Sequence, residues 1–306
     1  NAARLGVGIQ GLGLMEASFQ NSLSYARDRL QMRGLSGVQA PDKVADPIIV
    51  HPDVRRMLLT QKAFAEGGRM LVLYTAQMLD IVEHGAPGAE KERAETLLGL
   101  LTPIVKAFLT EVGFECTNEG VQIFGGHGFI KEWGMEQLVR DARITRLYEG
   151  TTGIQALDLL GRKVLMSQGE SLKVFTKEIH KFCKAEADNS ALKEFIEPLA
   201  KLNAEWGELT MAVGEKAMNN ADEVGAASVD YLMYSGYVAF AYIWAQMAEV
   251  AQQKLDAGED NGLYRGKVKT ARFYFQRLLP RTATHKAAML AGADALMDVS
   301  EDEFVY

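Results

Sequence analysis

Over residues 3–33 the apolar side chains Leu5, Ile9, Leu12, Met15, Phe19 and Leu23 return every third or fourth position. That period lines one face of an α-helix and cannot line a face of a strand, whose period is two. The same spacing resumes at HPDVRRMLL, where Asp53 is expected to cap a second long helix that buries Val54, Met57, Leu58 and Phe64, and GAPG at 85–88 is expected to close it. A third helix is expected over 89–117, another from Thr151 to about residue 166, and further amphipathic helices from Ser171 onward. Alternation of the strand kind is nowhere sustained, so the fold class is all-α, with the long helices as antiparallel neighbours. Gly6, Gly8, Gly11 and Gly13 superficially suggest a dinucleotide loop, but no strand precedes them and the helical period runs through them. They are expected to let helices pack closely. Residues 34–52 hold three of the seven prolines and read as a long surface excursion. In the apolar run VDYLMYSGYVAFAYIWAQMAEVAQQKL, Gly236 is expected to interrupt a buried central helix, and Pro280 is expected to kink or divide the last one.

At 306 residues the chain exceeds the usual single domain, so two packed helical units are expected: 1–166 and 167–306, joined by a polar linker at 167–170. Arg and Lys number 33 against 40 Asp and Glu, and this formal charge of −7 gives no general attraction to nucleic acid or an anionic membrane. Any anionic cofactor must therefore be held by local arginines. Cys116 and Cys183 stand alone, with neither disulfide-framework nor metal-ligand spacing, which fits a reducing, cytoplasmic setting and no metal site. No membrane span is expected, since no run of about twenty uncharged apolar residues occurs. Asn1 stands in what reads as a helix without an initiating Met, so the chain is expected to be part of something longer.

Glycines and charges concentrate in residues 122–155, QIFGGHGFIKEWGMEQLVRDARITRLYEGTTGIQ. The turn built from Gln122, Gly125, Gly126 and Gly128 lets backbone N–H groups approach an anionic ligand such as a phosphate. Glu149, just before threonines that open a helix, is either a capping carboxylate or a general base. His127 reads as a polar residue in a solvent-facing turn, and Arg140 and Asp141 as an exposed ion pair. The basic cluster SYARDRLQMRG, by charge alone, is a solvated helix end.

Q-x-x-G-G-x-G-F followed by R-D-A-R-I and then Y-E-G-T resembles the C-terminal helical domain of the acyl-CoA dehydrogenases, and these motifs stand in that family's order. The resemblance covers about the first half of the chain, and residues from about 171 resemble the extension of larger bacterial members, including the 3-methylmercaptopropionyl-CoA dehydrogenase group. It implies a four-helix bundle over 1–166 followed by an additional helical bundle. It further implies FAD-dependent 2,3-dehydrogenation of an acyl-CoA thioester, with Glu149 as the base that removes the α proton and Tyr148 and Gly150 framing it at the substrate. Thr151 matches a threonine that contacts flavin; Arg29 and Gln31 match the R-x-Q-F-G ending that reaches the diphosphate of a neighbouring subunit's FAD, though Met32 replaces its Phe. Gln122, Gly125 and Gly126 match the turn that holds the adenosine side of that flavin. Arg4 matches an arginine near bound CoA, although Asn1 replaces an acidic residue three positions earlier. Electron-transfer flavoprotein is the implied acceptor, and a homodimer or dimer of dimers the implied assembly. An acyl-CoA oxidase shares the glutamate chemistry, and a non-catalytic oligomerisation scaffold is the reading from another class. In the family an N-terminal helical domain and a β domain precede this region; without counterparts for them, residues 1–306 are expected to self-associate but to bind FAD weakly.

Overall fold

A computed structural model describes residues 1–305, and among these every regular element is helical. Helices α1 (Ala2–Asp28), α2 (Pro52–His84) and α3 (Ala89–Phe124) pack side by side. A short α4 (Gly126–Phe129), then α5 (Met135–Thr145) and α6 (Thr152–Leu157) follow. α6 continues as a π-helical stretch over Asp158–Leu165 and completes the first bundle. Beyond a turn at Gln168 and Gly169, both with positive φ, come α7 (Glu170–Ala185), α8 (Lys193–Asn219), α9 (Asp222–Asp256), α10 (Gly262–Phe273), α11 (Thr282–Ala291) and α12 (Asp294–Met297). Pro280 divides the last long segment as expected, between a π-helical stretch at Tyr274–Leu278 and α11.

Two helices are apolar all round and so take the centre. In α3, Leu97, Leu98, Leu100, Leu101, Ile104, Val105, Ala107, Phe108 and Leu109 are all buried. This helix has an 18-residue window of mean hydropathy 1.6, long and apolar enough to cross a bilayer, but 83% of that window is buried inside the protein. The other is α9. Gly236 does not interrupt it: the helix runs unbroken, and a Cβ at Gly236 would stand 2.2 Å from the Phe108 ring, so the glycine marks where α9 closes on α3. Trp244 on α9 donates from its indole to the Ala63 carbonyl of α2 at 3.1 Å, and Arg281 makes a two-pronged ion pair with Glu115 of α3 at 2.7 and 2.9 Å. One apolar cluster runs through residues on both sides of the expected 166/167 boundary.

α1 and α3 touch through backbone. A Cβ on Gly11 would lie 2.7 Å from the Leu109 carbonyl oxygen, and one on Gly113 2.9 Å from that of Gly11; Gly8 is similarly tight against Val105. Gly6 and Gly13 meet nothing within 4 Å, so only half of that glycine set serves packing. Three boundaries differ from the sequence reading. α1 ends at Asp28 because the chain turns extended at Arg29 and pairs Leu30 with Pro47. His51, not Asp53, stands at the N-cap position of α2, with no side-chain capping bond, and Asp53 pairs instead with Arg56. α3 continues to Phe124, where Gly125 takes φ 59 and ψ −135, a backbone geometry reserved for glycine.

Candidate functional site

The loop between α5 and α6 carries two consecutive residues in left-handed geometry, Glu149 at φ 55 and Gly150 at φ 89. A carboxylate residue held at positive φ is strained, and such strain persists only where neighbours over-determine it. Here they do. Gln155 donates to the Glu149 carbonyl at 2.9 Å, and Lys106 of α3 donates to the Gly150 carbonyl at 2.7 Å. A Cβ at Gly150 would lie 2.6 Å from the Gln155 amide nitrogen, so the position also demands glycine sterically. Glu111 of α3 grips both flanks, accepting from Arg146 at 2.6 Å and from Thr152 at 2.5 Å, while Arg146 lies over the Phe114 ring. Thr151 caps α6 by accepting from the Ile154 N–H at 3.4 Å. Tyr148 donates to Gln10 of α1. The Glu149 side chain itself is exposed and makes no hydrogen bond among the described residues. Exposed Ile144, Leu147, Ile154 and Leu157 flank it in the chain.

Arg4 joins this cluster through its other partners. Its guanidinium donates to Asp158 at 2.7 Å, to Gln155 at 3.1 Å and to Asn1 at 3.1 Å, so it supports the glutamine that holds the Glu149 carbonyl. Burial pushes the Asp158 carboxyl up, but the hydrogen bonds and charges of Arg4 and Arg162 outweigh it, and the net direction is down. Burial pushes the Lys106 ammonium down, against the upward pull of Glu111 and Glu149 nearby. Lys106 and Glu111 escaped the sequence reading. The one available signal was a lysine inside LLTPIVKAFLT, an otherwise apolar run.

The remaining candidates gather at the far end of α1. Arg29, Gln31, Gly125 and Gly126 line one cleft of about 340 Å³ together with Tyr25, Ile48, Phe124 and His127. Tyr25 stacks on Phe124 at 4.0 Å and hydrogen-bonds His127 at 2.9 Å, and His127 stacks on Trp133 at 4.7 Å. His127 is thus a half-buried structural residue rather than a solvent-facing one. The Gln31 backbone is pinned at both ends, its N–H to the Asp46 carbonyl and its own carbonyl to His51. Asp46, fully buried, knots the excursion behind it: its carboxylate accepts from the N–H groups of Gly34, Gln39 and Ala40 and from Arg33. Burial pushes that carboxyl up, but these donors hold it at about 2. The Arg29 and Gln31 side chains keep their donors unspent among the described residues, and no Cβ fills the space at Gly125 or Gly126. An unpaired guanidinium facing bare backbone suits a phosphate-bearing group. Gln122 is exposed, one turn before Gly125, and does not line this cleft. Asp141 accepts from Gln137 at 2.7 Å, so the expected pair with Arg140 is not formed.

The two clusters do not meet within one chain. One touches α1 at Arg4 and Gln10 and the other at Tyr25 and Arg29, so about 20 residues, or roughly 30 Å of helix, separate them.

Comparison with known proteins bears on both. Residues 1–165 match the family described as acyl-CoA dehydrogenase, C-terminal domain, and residues 175–300 match one described as acetyl-CoA dehydrogenase C-terminal like. The chain is 39% identical to the 3-methylmercaptopropionyl-CoA dehydrogenase of Ruegeria pomeroyi over 98% of its own length and 50% of that protein. It is 33% identical to the broad-specificity linear acyl-CoA dehydrogenase FadE5 of Mycobacterium tuberculosis, over 99% of the chain and 51% of that protein. The chain therefore spans about half the length of the curated relatives it matches. A solved acyl-CoA dehydrogenase from Bacillus anthracis, complexed with FAD, shares the fold with a TM-score of 0.73 at 19% identity, over 95% of this chain and 48% of that one.

Proposed function

The chain belongs to the acyl-CoA dehydrogenase family, and from that premise we propose that it furnishes the catalytic carboxylate and the nucleotide-end contacts of an FAD-dependent enzyme that dehydrogenates an acyl-CoA thioester between Cα and Cβ. The observation that carries this reading is the Glu149 loop: an unpaired carboxylate on a doubly left-handed turn whose two carbonyls are each held by a buried or half-buried side-chain donor. Such a loop fixes where a base stands before any substrate arrives, which removes the entropy of finding it. Glu149 takes the α proton. Its N–H, which donates to nothing among the described residues, is available to the thioester oxygen as that oxygen gains enolate charge. FAD, when bound, supplies the acceptor for the β hydride.

Arg29, Gln31, Gly125 and Gly126 would hold the phosphate and adenosine end of the flavin. Their separation from Glu149 by roughly 30 Å of helix supports an assembly in which these two sets serve flavins of different subunits, so a homodimer or dimer of dimers belongs to the proposal. Electron-transfer flavoprotein is the proposed acceptor, and slow reaction of the reduced enzyme with oxygen distinguishes it from an oxidase. The test is Glu149→Gln in the flavin-loaded full-length enzyme. The amide keeps the shape but takes no proton, so flavin content and acyl-CoA affinity are expected to persist while flavin reduction falls about 100- to 10,000-fold. Reduction at the wild-type rate would reject Glu149 as the base.

A further inference from the structure

Lys106 is a charged residue at 0% exposure in α3, one of the two apolar central helices, between Val105 and Ala107 and within one turn of Phe108 and Leu109, all equally buried. Removing an ammonium from water is costly unless strong partners replace the lost hydration. The partner here is not a carboxylate. Lys106 Nζ donates at 2.7 Å to the carbonyl of Gly150, the residue after Glu149, and that is its one hydrogen bond among the described residues. A peptide unit is planar and trans, so a carbonyl drawn down toward α3 turns the N–H of the same unit, that of Thr151, toward the opposite side. Gln155 does the same one unit earlier: by holding the Glu149 carbonyl it turns the Gly150 N–H away. Neither N–H has an acceptor among the described residues. We propose that Lys106 is a positioning residue for Glu149: through the Gly150 carbonyl its ammonium locks the left-handed loop that presents the carboxylate and turns the Thr151 N–H to the same open face. This rests on the reading of Glu149 as base. Lysine suits the task because its four-carbon stem crosses the apolar flank of α3 and ends in a donor whose charge strengthens the bond. Burial outweighs the upward pull of Glu111 and Glu149 and shifts that ammonium downward on balance, so the hydrogen bond to the Gly150 carbonyl, not its titration, carries the assignment.

The test compares Lys106→Met and Lys106→Arg in the flavin-loaded full-length enzyme by two readouts. The first is hydrogen exchange at the Ile154 and Gln155 amides, which are bonded to the Thr151 hydroxyl and carbonyl and so report on release of the loop. Loss of a charge-assisted bond is expected to speed their exchange about 10- to 100-fold in the Met variant, with arginine restoring much of the protection. The second is kinetic: kcat is expected to fall at least about tenfold in the Met variant while KM for acyl-CoA moves less than about threefold, the pattern of a residue that acts on the reacting geometry. Unchanged exchange at both amides overturns the proposal. So does faster exchange with an unaltered kcat, because the lysine would then be holding the loop without serving the base. Should the Met variant fail to fold, Lys106→Gln, neutral and too short to reach the Gly150 carbonyl, takes its place in both measurements. Exchange at Ile154 and Gln155 does not depend on which residue removes the proton, so a failure of the Glu149→Gln test leaves this result to be judged separately.

Discussion

Replacing Gly11 by alanine tests the crossing that fixes α1, the helix to which both clusters attach. Taken alone, the change should help: alanine in a helix interior is favoured over glycine by about 0.8–1.0 kcal/mol. The added methyl, however, would stand 2.7 Å from the Leu109 carbonyl oxygen, 3.0 Å from its carbon and 3.2 Å from the Thr110 Cα. All three are backbone, so no rotamer change relieves the contact, and α1 must move away from α3 by several tenths of an ångström. Overpacking of this kind costs about 1–3 kcal/mol, and with backbone on both sides the upper part of that range applies. The net expectation is a destabilisation of about 1–2 kcal/mol. Gly13, exposed on the same helix with nothing within 4 Å, provides the internal control: there the propensity gain stands unopposed, so Gly13→Ala should stabilise by up to about 1 kcal/mol. Urea unfolding at one fixed protein concentration reads the difference, with Gly113→Ala expected to follow Gly11→Ala because its methyl would meet the Gly11 carbonyl oxygen at 2.9 Å. If Gly11→Ala raised the midpoint as Gly13→Ala does, the backbone contact between α1 and α3 would be refuted.

Asp46 titrates with a folded-state carboxyl held at about 2, below its unfolded value of about 3.9. Its contribution is therefore fully present above the unfolded value and is lost as pH falls through about 2. Asp46→Asn should be less stable than wild type at neutral pH and converge on it as the pH drops to about 2; a difference that stayed constant across that titration would reject the assignment. Arg281→Met leaves Glu115 without its two-pronged partner and should cost about 1–3 kcal/mol, the range for hydrogen bonds to charged groups in a half-buried setting. The double variant with Glu115→Gln should recover part of that loss, and simple additivity in the cycle would mean the two side chains do not act as a pair.

The local order of this protein was legible in its sequence wherever the cause is local. A helix repeats its environment every 3.6 residues, so Leu5, Leu12, Met15 and Phe19 announce α1 without knowledge of what covers them, and Gly125 announces a turn because few other residues tolerate its backbone angles. GAPG at 85–88 ends a helix and Pro280 breaks the regular α-helical turn of the last long segment for equally local reasons. The motif order Q-x-x-G-G-x-G-F then Y-E-G-T carried the family. What the sequence could not reveal depends on partners distant along the chain. Gly236 read as a break and proved to be the seat of Phe108, since close approach and helix breaking select the same residue. Arg4 read as a ligand contact and is engaged with Gln155 and Asp158, while Lys106 meets Gly150 from 44 positions away. The division of the candidate residues between the two ends of α1 was hidden for the same reason. Hydrophobic period fixes which face of a helix is buried, but only the packed bundle decides what faces it, and with that which carbonyl receives a buried charge.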